Sequence, residues 1–172
     1  MAADTPRRIL DAAADEFAER GLAGARVDRI AERAGANKQR IYAYFGSKDQ
    51  LFDRVIEDRI EQLLDAVPFD AVDLPGYAAR LLDFNLAHPE LVRLLMWHNL
   101  ERPGVLARLP QSVESTGKKV AALRAQRGDD DWPADRLLGQ VLGLVHGVAL
   151  TGWADPDHVR ADLHRAVSRL VG

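Results

Sequence analysis

The sequence predicts an all-α fold in which a small three-helix head precedes a larger helical body. Three observations predict it. Among 172 residues, Ala (26) and Leu (23) far outnumber Val, Ile and Thr (22 together), which favours helix over sheet. Apolar residues recur at three- and four-residue spacing in one segment after another, with Gly and Pro between the segments. No strand pair, internal repeat or low-complexity tract competes with that pattern. The length suffices to bury a core without staples. The absence of cysteine excludes disulfides, thiolate metal sites, iron–sulfur clusters and cysteine nucleophiles.

Thr5-Pro6 sets the start of the first helix, and Ile9, Leu10, Ala13, Ala14 and Phe17 carry it to Gly21. Val27, Ile30, Ala31 and Ala34 mark a short second helix that Gly35 ends. Asn37 is placed to cap a third, which holds Ile41 and Phe45 on one side, and Gly46-Ser47 stops it and caps a fourth. That fourth helix runs through Leu51, Val55, Ile56, Ile60, Leu63 and Leu64 to about Val67, long enough to connect two domains. The expected division is 1–48 for the head and 49–172 for the body, with helix four, about 48–67, between them. Five more helices are expected at about 75–88, 89–101, 104–127, 133–154 and 156–171. Prolines 89, 103, 133 and 156 lie near their starts, and Pro110 should kink or split the 104–127 segment.

The formal charge of −3 is unevenly spread. Residues 26–48 hold six basic side chains against two acidic ones, whereas from residue 49 onward 14 basic residues face 19 acidic ones. A basic head on an acidic body directs attention to nucleic acid. Two short helices joined through Ala34-Gly35-Ala36-Asn37 have the spacing of a helix-turn-helix, whose second helix enters the DNA major groove. Lys38, Gln39, Arg40, Tyr42 and Tyr44 surround apolar Ile41 and Phe45, and Arg26 and Lys48 flank the pair. Arg and Gln forks match guanine and adenine edges, while Tyr hydroxyls, Lys and helix N-termini match phosphate oxygens. A solvated charged face and packing of Tyr44 beside Phe45 are the plainer alternatives.

The stretch from Arg26 to Phe52, RVDRIAERAGANKQRIYAYFGSKDQLF, resembles the DNA-binding signature of TetR-type transcriptional regulators. Including helix one, which ends in Phe17-Ala18-Glu19-Arg20-Gly21, the resemblance covers about residues 5–52; the rest matches mainly in helical layout. It implies an all-α homodimer, usually a repressor, with an N-terminal helix-turn-helix DNA-binding domain and a C-terminal helical ligand-binding and dimerisation domain that often takes an inducing small molecule. By resemblance, Tyr42 and Lys48 contact phosphate, and the start of the 38–44 helix reads bases. Gln39-Arg40 stands where the family commonly has Gly-Thr, and Arg26 where it often has a capping Thr. The DNA-contacting set expected from all of this is Arg26, Asn37, Lys38, Gln39, Arg40, Tyr42, Tyr44 and Lys48, with a double-stranded operator as partner.

In the body, Tyr77, Leu81, Phe84 and His88 follow helical spacing, and Trp97 and His98 lie on the next segment, mixing apolar bulk with polar handles. They are the expected lining of an effector pocket, with ordinary core packing as the alternative. Gly139, Gly143 and Gly147 form a ridge on the 133–154 helix that would allow close helix approach, and Val159, Leu163, Ala166, Val167 and Leu170 form an apolar stripe on the last helix. The family resemblance places a homodimer interface there, at about 133–171, as a four-helix bundle. A body that binds a protein partner, or serves dimerisation alone, is the rival.

An enzyme finds no support: no serine lies in a nucleophile-elbow motif, and no Gly-rich phosphate loop occurs. The five histidines form no metal-binding pattern, and neither a metal nor a cofactor is expected. Residues 137–154 are 18 uncharged positions, but they include Gln140, His146, Thr151 and four glycines and read as a buried helix rather than a membrane span. The N-terminal segment lacks the apolar run of a secretory signal, and its acidic residues disfavour a transit peptide, so the expected location is the cytoplasm.

Overall fold

A computed structural model describes residues 5–105, 108–127, 133–151 and 155–172. Among them are nine helices and no strand: α1 (Thr5–Gly24), α2 (Val27–Ala34), α3 (Lys38–Phe45), α4 (Lys48–Ala66), α5 (Leu74–Ala87), α6 (Pro89–Glu101), α7 (Pro110–Arg127), α8 (Ala134–Thr151) and α9 (Pro156–Val171). The expected end of the eighth helix, at 152–154, lies outside the described residues. The 104–127 segment is not one helix. Pro103 and Gly104 sit in a turn, and α7 begins at Pro110, because a helix start tolerates the missing N–H that a helix interior does not.

The chain divides into two compact units, Met1–Glu61 with Arg93–Leu109, and Gln62–Val92 with Pro110–Gly172. The division falls inside α4 and inside α6. In the first unit, Ile9, Ala13 and Phe17 of α1, Ile30 of α2, Ile41 of α3 and Leu51, Phe52, Val55 and Ile56 of α4 are almost wholly buried. The Phe17 and Phe52 rings lie 4.8 Å apart at its centre. Leu94, from α6, completes this core. In the second unit, Tyr77, Ala78, Leu81 and Leu82 of α5 pack with Leu123 of α7, Leu137, Leu138, Val141 and Val145 of α8, and Leu163 and Val167 of α9.

Candidate functional site

The head is a rigid mount for α3. Gly35 closes α2 in the left-handed region (φ 58°, ψ 38°), where a Cβ is disfavoured, and Ala36 N–H returns to Ala31 C=O at 2.9 Å, so the chain reverses without leaving buried carbonyls unmet. Asn37 then caps α3, its Oδ1 accepting from Arg40 N–H at 2.8 Å. After α3, Ser47 and Gln50 form a reciprocal capping box. Gln50 N–H donates to Ser47 Oγ at 3.1 Å, and Ser47 N–H donates to Gln50 Oε1 at 3.0 Å, fixing where α4 begins. Ile41 anchors α3 from below at 1% exposure, and Phe45 is half-buried, while Lys38, Gln39, Arg40, Tyr42 and Tyr44 are all exposed.

Arg26 takes the N-cap position of α2 without making a side-chain cap. Its backbone N–H instead donates to Glu16 Oε1 of α1 at 3.0 Å, and Arg29 Nη1 donates to the same oxygen at 3.2 Å. The fully buried Glu16 thus does from a neighbouring helix what a capping-box glutamate does from within, which leaves the Arg26 side chain exposed for another partner. Of the six cations in residues 26–48, Arg29 pairs with Glu16, Arg33 with Glu19 and Lys38 with Asp28. Arg26 and Arg40 make no ion pair among the described residues. Lys48 Nζ donates to Ala25 C=O at 3.2 Å, which steadies the ammonium beside the start of α2 without neutralising it. Positive charge without a counter-charge therefore stands at the start of α2, on α3 and at the start of α4.

The family models agree with this arrangement. Residues 9–55 match the model of bacterial regulatory proteins of the tetR family, and residues 73–171 match that of the tetracyclin repressor-like C-terminal domain. The chain is 41% identical to the HTH-type transcriptional repressor SCO4008 of Streptomyces coelicolor over 97% of its own length and 95% of that protein's. It belongs to the TetR family. A further relative, the HTH-type transcriptional repressor NicS of Pseudomonas putida, is 37% identical over 70% of this chain and 60% of its own. The crystal structure of the putative transcriptional regulator SCO4942 from Streptomyces coelicolor superposes with a TM-score of 0.81 at 37% identity, covering 96% of this chain and 97% of that one. This TetR-family protein is thus a DNA-binding transcriptional regulator, not an enzyme, and no helix among the described residues is long and apolar enough to cross a membrane.

The residues expected to line an effector pocket are divided between the two units. Tyr77 and Leu81 are buried in the second unit, with Phe84 half-buried one turn on and His88 exposed at the end of α5, its ring 4.3 Å from that of Phe84. Trp97 and His98 belong to the first unit. The Trp97 indole N–H donates to Ala18 C=O at 3.3 Å, and His98 is fully buried with its ring stacked 5.5 Å from Phe52. His98 Nε2 lies 3.6 Å from Asp53 Oδ1, and Asp53 is ion-paired with Arg102. Burial, with the Arg102 charge behind it, holds the imidazole below its usual pKa against the opposing pull of Asp53.

Several functional side chains escaped the sequence reading. Glu16 had a signal, since it sits three residues after Ala13 and seven after Ile9 and so places a carboxylate on an apolar stripe. Glu101, which accepts from Leu22 N–H at 2.6 Å and Ala23 N–H at 3.1 Å, had none, because 79 residues separate Glu101 from Leu22. Lys119 of the second unit was likewise unannounced, and His146 was noticed only as a scattered histidine; the Asn85 amide, buried with no partner on either atom among the described residues, lies at the helical spacing of the expected pocket residues Tyr77, Leu81 and His88.

Proposed function

We propose that the protein is a cytoplasmic homodimeric repressor that holds a double-stranded operator through two heads and is released by a small molecule bound in its second unit. The observation that carries the DNA reading is the solvent face of α3, where Lys38, Gln39, Arg40, Tyr42 and Tyr44 stand exposed over a buried Ile41, with Arg26, Arg40 and Lys48 neutralised by no carboxylate among the described residues. In this reading Lys38, Gln39 and Arg40 address base edges, with Tyr44 at the margin. Arg26, Tyr42, Lys48 and the amide nitrogen of Asn37 hold phosphates. Repression follows the two relatives named as repressors.

Dimerisation through α8 and α9 is supported by an open apolar groove of about 440 Å³ lined by Gly143, Leu144, Gly147, Val148, Thr151, Val159, Asp162, Leu163 and Ala166. Among the described residues, and apart from its chain neighbours and the backbone of α8 itself, nothing lies within 4 Å of where a Cβ would stand on Gly139, Gly143 or Gly147. Glycine costs a helix stability, and packing inside one copy does not recover it there. A second copy laid on the ridge does. Release needs an effector that binds one disposition of the heads more tightly than the other; a ligand that binds both equally shifts nothing.

Selection of operator sequences from random duplex DNA by the full-length protein tests the reading. The expected product is a palindrome whose half-sites are one helical turn, roughly 34 Å, or a multiple of it apart. A lone half-site or no enrichment would contradict a dimeric reader.

A further inference from the structure

The second unit holds a cation with no counter-charge. Lys119 of α7 is mostly buried, and no carboxylate among the described residues pairs with it. Its Nζ donates to Tyr77 Oη at 3.1 Å and stands 5.6 Å from the Tyr77 ring centroid and 5.9 Å from that of Phe69. Phe69 and Tyr77 meet edge to face at 4.9 Å, so the ammonium rests on an aromatic corner. The neighbouring Arg80 is already answered by Asp73 at 3.5 Å.

Lys119, Tyr77 and His146 can each donate. An ammonium has three protons, and Tyr77 Oη takes one of them. Because that oxygen accepts from Lys119, the phenol's own proton is free to be given elsewhere, and burial pushes the Tyr77 pKa up to about 12, so the proton stays on. His146 of α8 makes no hydrogen bond among the described residues; its own burial, and then the Lys119 charge, lower its pKa, which keeps the ring neutral with one N–H to offer. Burial also lowers the Lys119 pKa, as expected of a cation removed from water without an anion.

We propose that this cluster is an anion site of the second unit that takes an organic monocarboxylate, its carboxylate held by Lys119 Nζ and the Tyr77 hydroxyl beside His146, and its apolar part against Phe69. One uncompensated charge selects a monoanion over a phosphate dianion, and the aromatic corner selects an organic acid over an inorganic ion. The proposal rests on the reading of the second unit as the effector-binding part. Binding restores the missing charge partner, which is the physical gain that an uncharged analogue cannot supply.

Calorimetric titration of the full chain without DNA tests it, using butyrate, hexanoate, octanoate and benzoate, each beside its primary amide, and inorganic phosphate. At least one carboxylate should bind about tenfold or more tighter than its amide, a difference that Lys119→Met abolishes and Lys119→Arg largely keeps. Tyr77→Phe should weaken the same acid severalfold. Should Lys119→Met fail to fold, the Lys119 side-chain NMR resonance of the unaltered protein serves instead, since it should move on adding the acid and not the amide. Equal binding of acid and amide, an unchanged preference in Lys119→Met, no acid binding below about 1 mM, or phosphate binding as well as the acids would each overturn the assignment. Operator release is measured separately. An acid that binds without releasing DNA leaves the anion site standing and separates it from effector release, whereas an uncharged compound that releases DNA while no acid binds overturns the anion site and leaves the effector reading standing.

Discussion

Arg29 and Arg33 are paired within the head, and Lys38 is held only by an exposed contact with Asp28 that a base edge can replace, which decides where operator affinity comes from. Arg40 is unpaired on an exposed face of α3, so Arg40→Ala should cost about 1–3 kcal/mol on the selected operator and little on random DNA. Lys48, tethered to Ala25 C=O, should act on phosphate: Lys48→Ala should weaken both duplexes alike and reduce the salt slope by about 0.9, one phosphate's worth. Fluorescence anisotropy on both duplexes across a salt series separates the two, and equal losses for Arg40→Ala would deny it a base. A different prediction concerns His98. Its folded-state pKa is depressed by burial, while the unfolded chain protonates it at about 6.5. As pH falls through that value the unfolded state binds the proton first, so stability is full above about 6.5 and declines below it, until the lower folded-state pKa is reached. His146 acts in the same direction in the second unit. Urea midpoints at pH 7.5 and 5.5 should therefore differ, and His98→Leu should narrow the difference; an undiminished difference would place the effect elsewhere.

At the scale of elements, α1 shows how far local patterns reach. Gly21 stops the regular helix as its sequence position announces, adopting φ 67°, after which the chain adds one more turn to Gly24. What holds that last turn is remote in sequence. The Glu101 carboxylate accepts from Leu22 and Ala23 N–H, and a Cβ on Gly21 would stand 2.8 Å from Glu101 Oε1 and 2.9 Å from the Trp97 ring. Gly21→Ala should thus cost more than the roughly 1–3 kcal/mol of backbone strain at φ 67°, ψ 179°, a region essentially reserved to glycine, because the ring must also move. Glu101→Ala should cost about 1–3 kcal/mol by leaving the two N–H groups without a charged acceptor. Thermal melts of both variants check this, and a wild-type melt for Gly21→Ala would refute the close packing. The same contrast governs legibility. The bounds of α2, α3 and α4 could be read from Gly35, Asn37 and Ser47 because caps and turns depend on residues a few positions apart. The split at Pro110 was legible and is where α7 begins, whereas a helix from 104 was wrongly expected because Pro103 offers the same local signal and only packing chooses between the two. Trp97 and His98 looked like pocket residues because aromatic bulk beside polar atoms serves a core and a cleft equally, and their partners Ala18 and Phe52 lie far away in sequence.

For the whole molecule, the second unit exposes what a monomer would hide. Leu144 and Leu150 are 36% and 44% exposed on α8, and the groove that Leu144 borders with Gly143 and Gly147 is open. Leu163 and Val167 of α9, by contrast, are 3% and 0% exposed and belong to the core of the protomer, so substituting them would damage folding and assembly together. Gly147 is the better probe. Its Cβ position meets only open space among the described residues beyond α8 itself, so Gly147→Glu should leave the isolated chain folded, with melting little changed beyond the loss of apolar surface burial between copies. In a two-fold dimer the same substitution acts on both copies, setting two carboxylates at a self-matching face already bordered by Asp162. Burying unpaired like charges there costs several kcal/mol, which is enough to move a dimerisation constant by a hundredfold or more, since about 1.4 kcal/mol is tenfold. Sedimentation velocity should show a folded monomer. Operator affinity should fall steeply at concentrations where the unaltered protein is dimeric, because one head then binds one half-site without its partner, while each head keeps its own base contacts. A folded Gly147→Glu dimer of unaltered strength would move the interface off the α8 ridge, and a monomer that still bound the full operator as tightly would remove dimerisation from the mechanism.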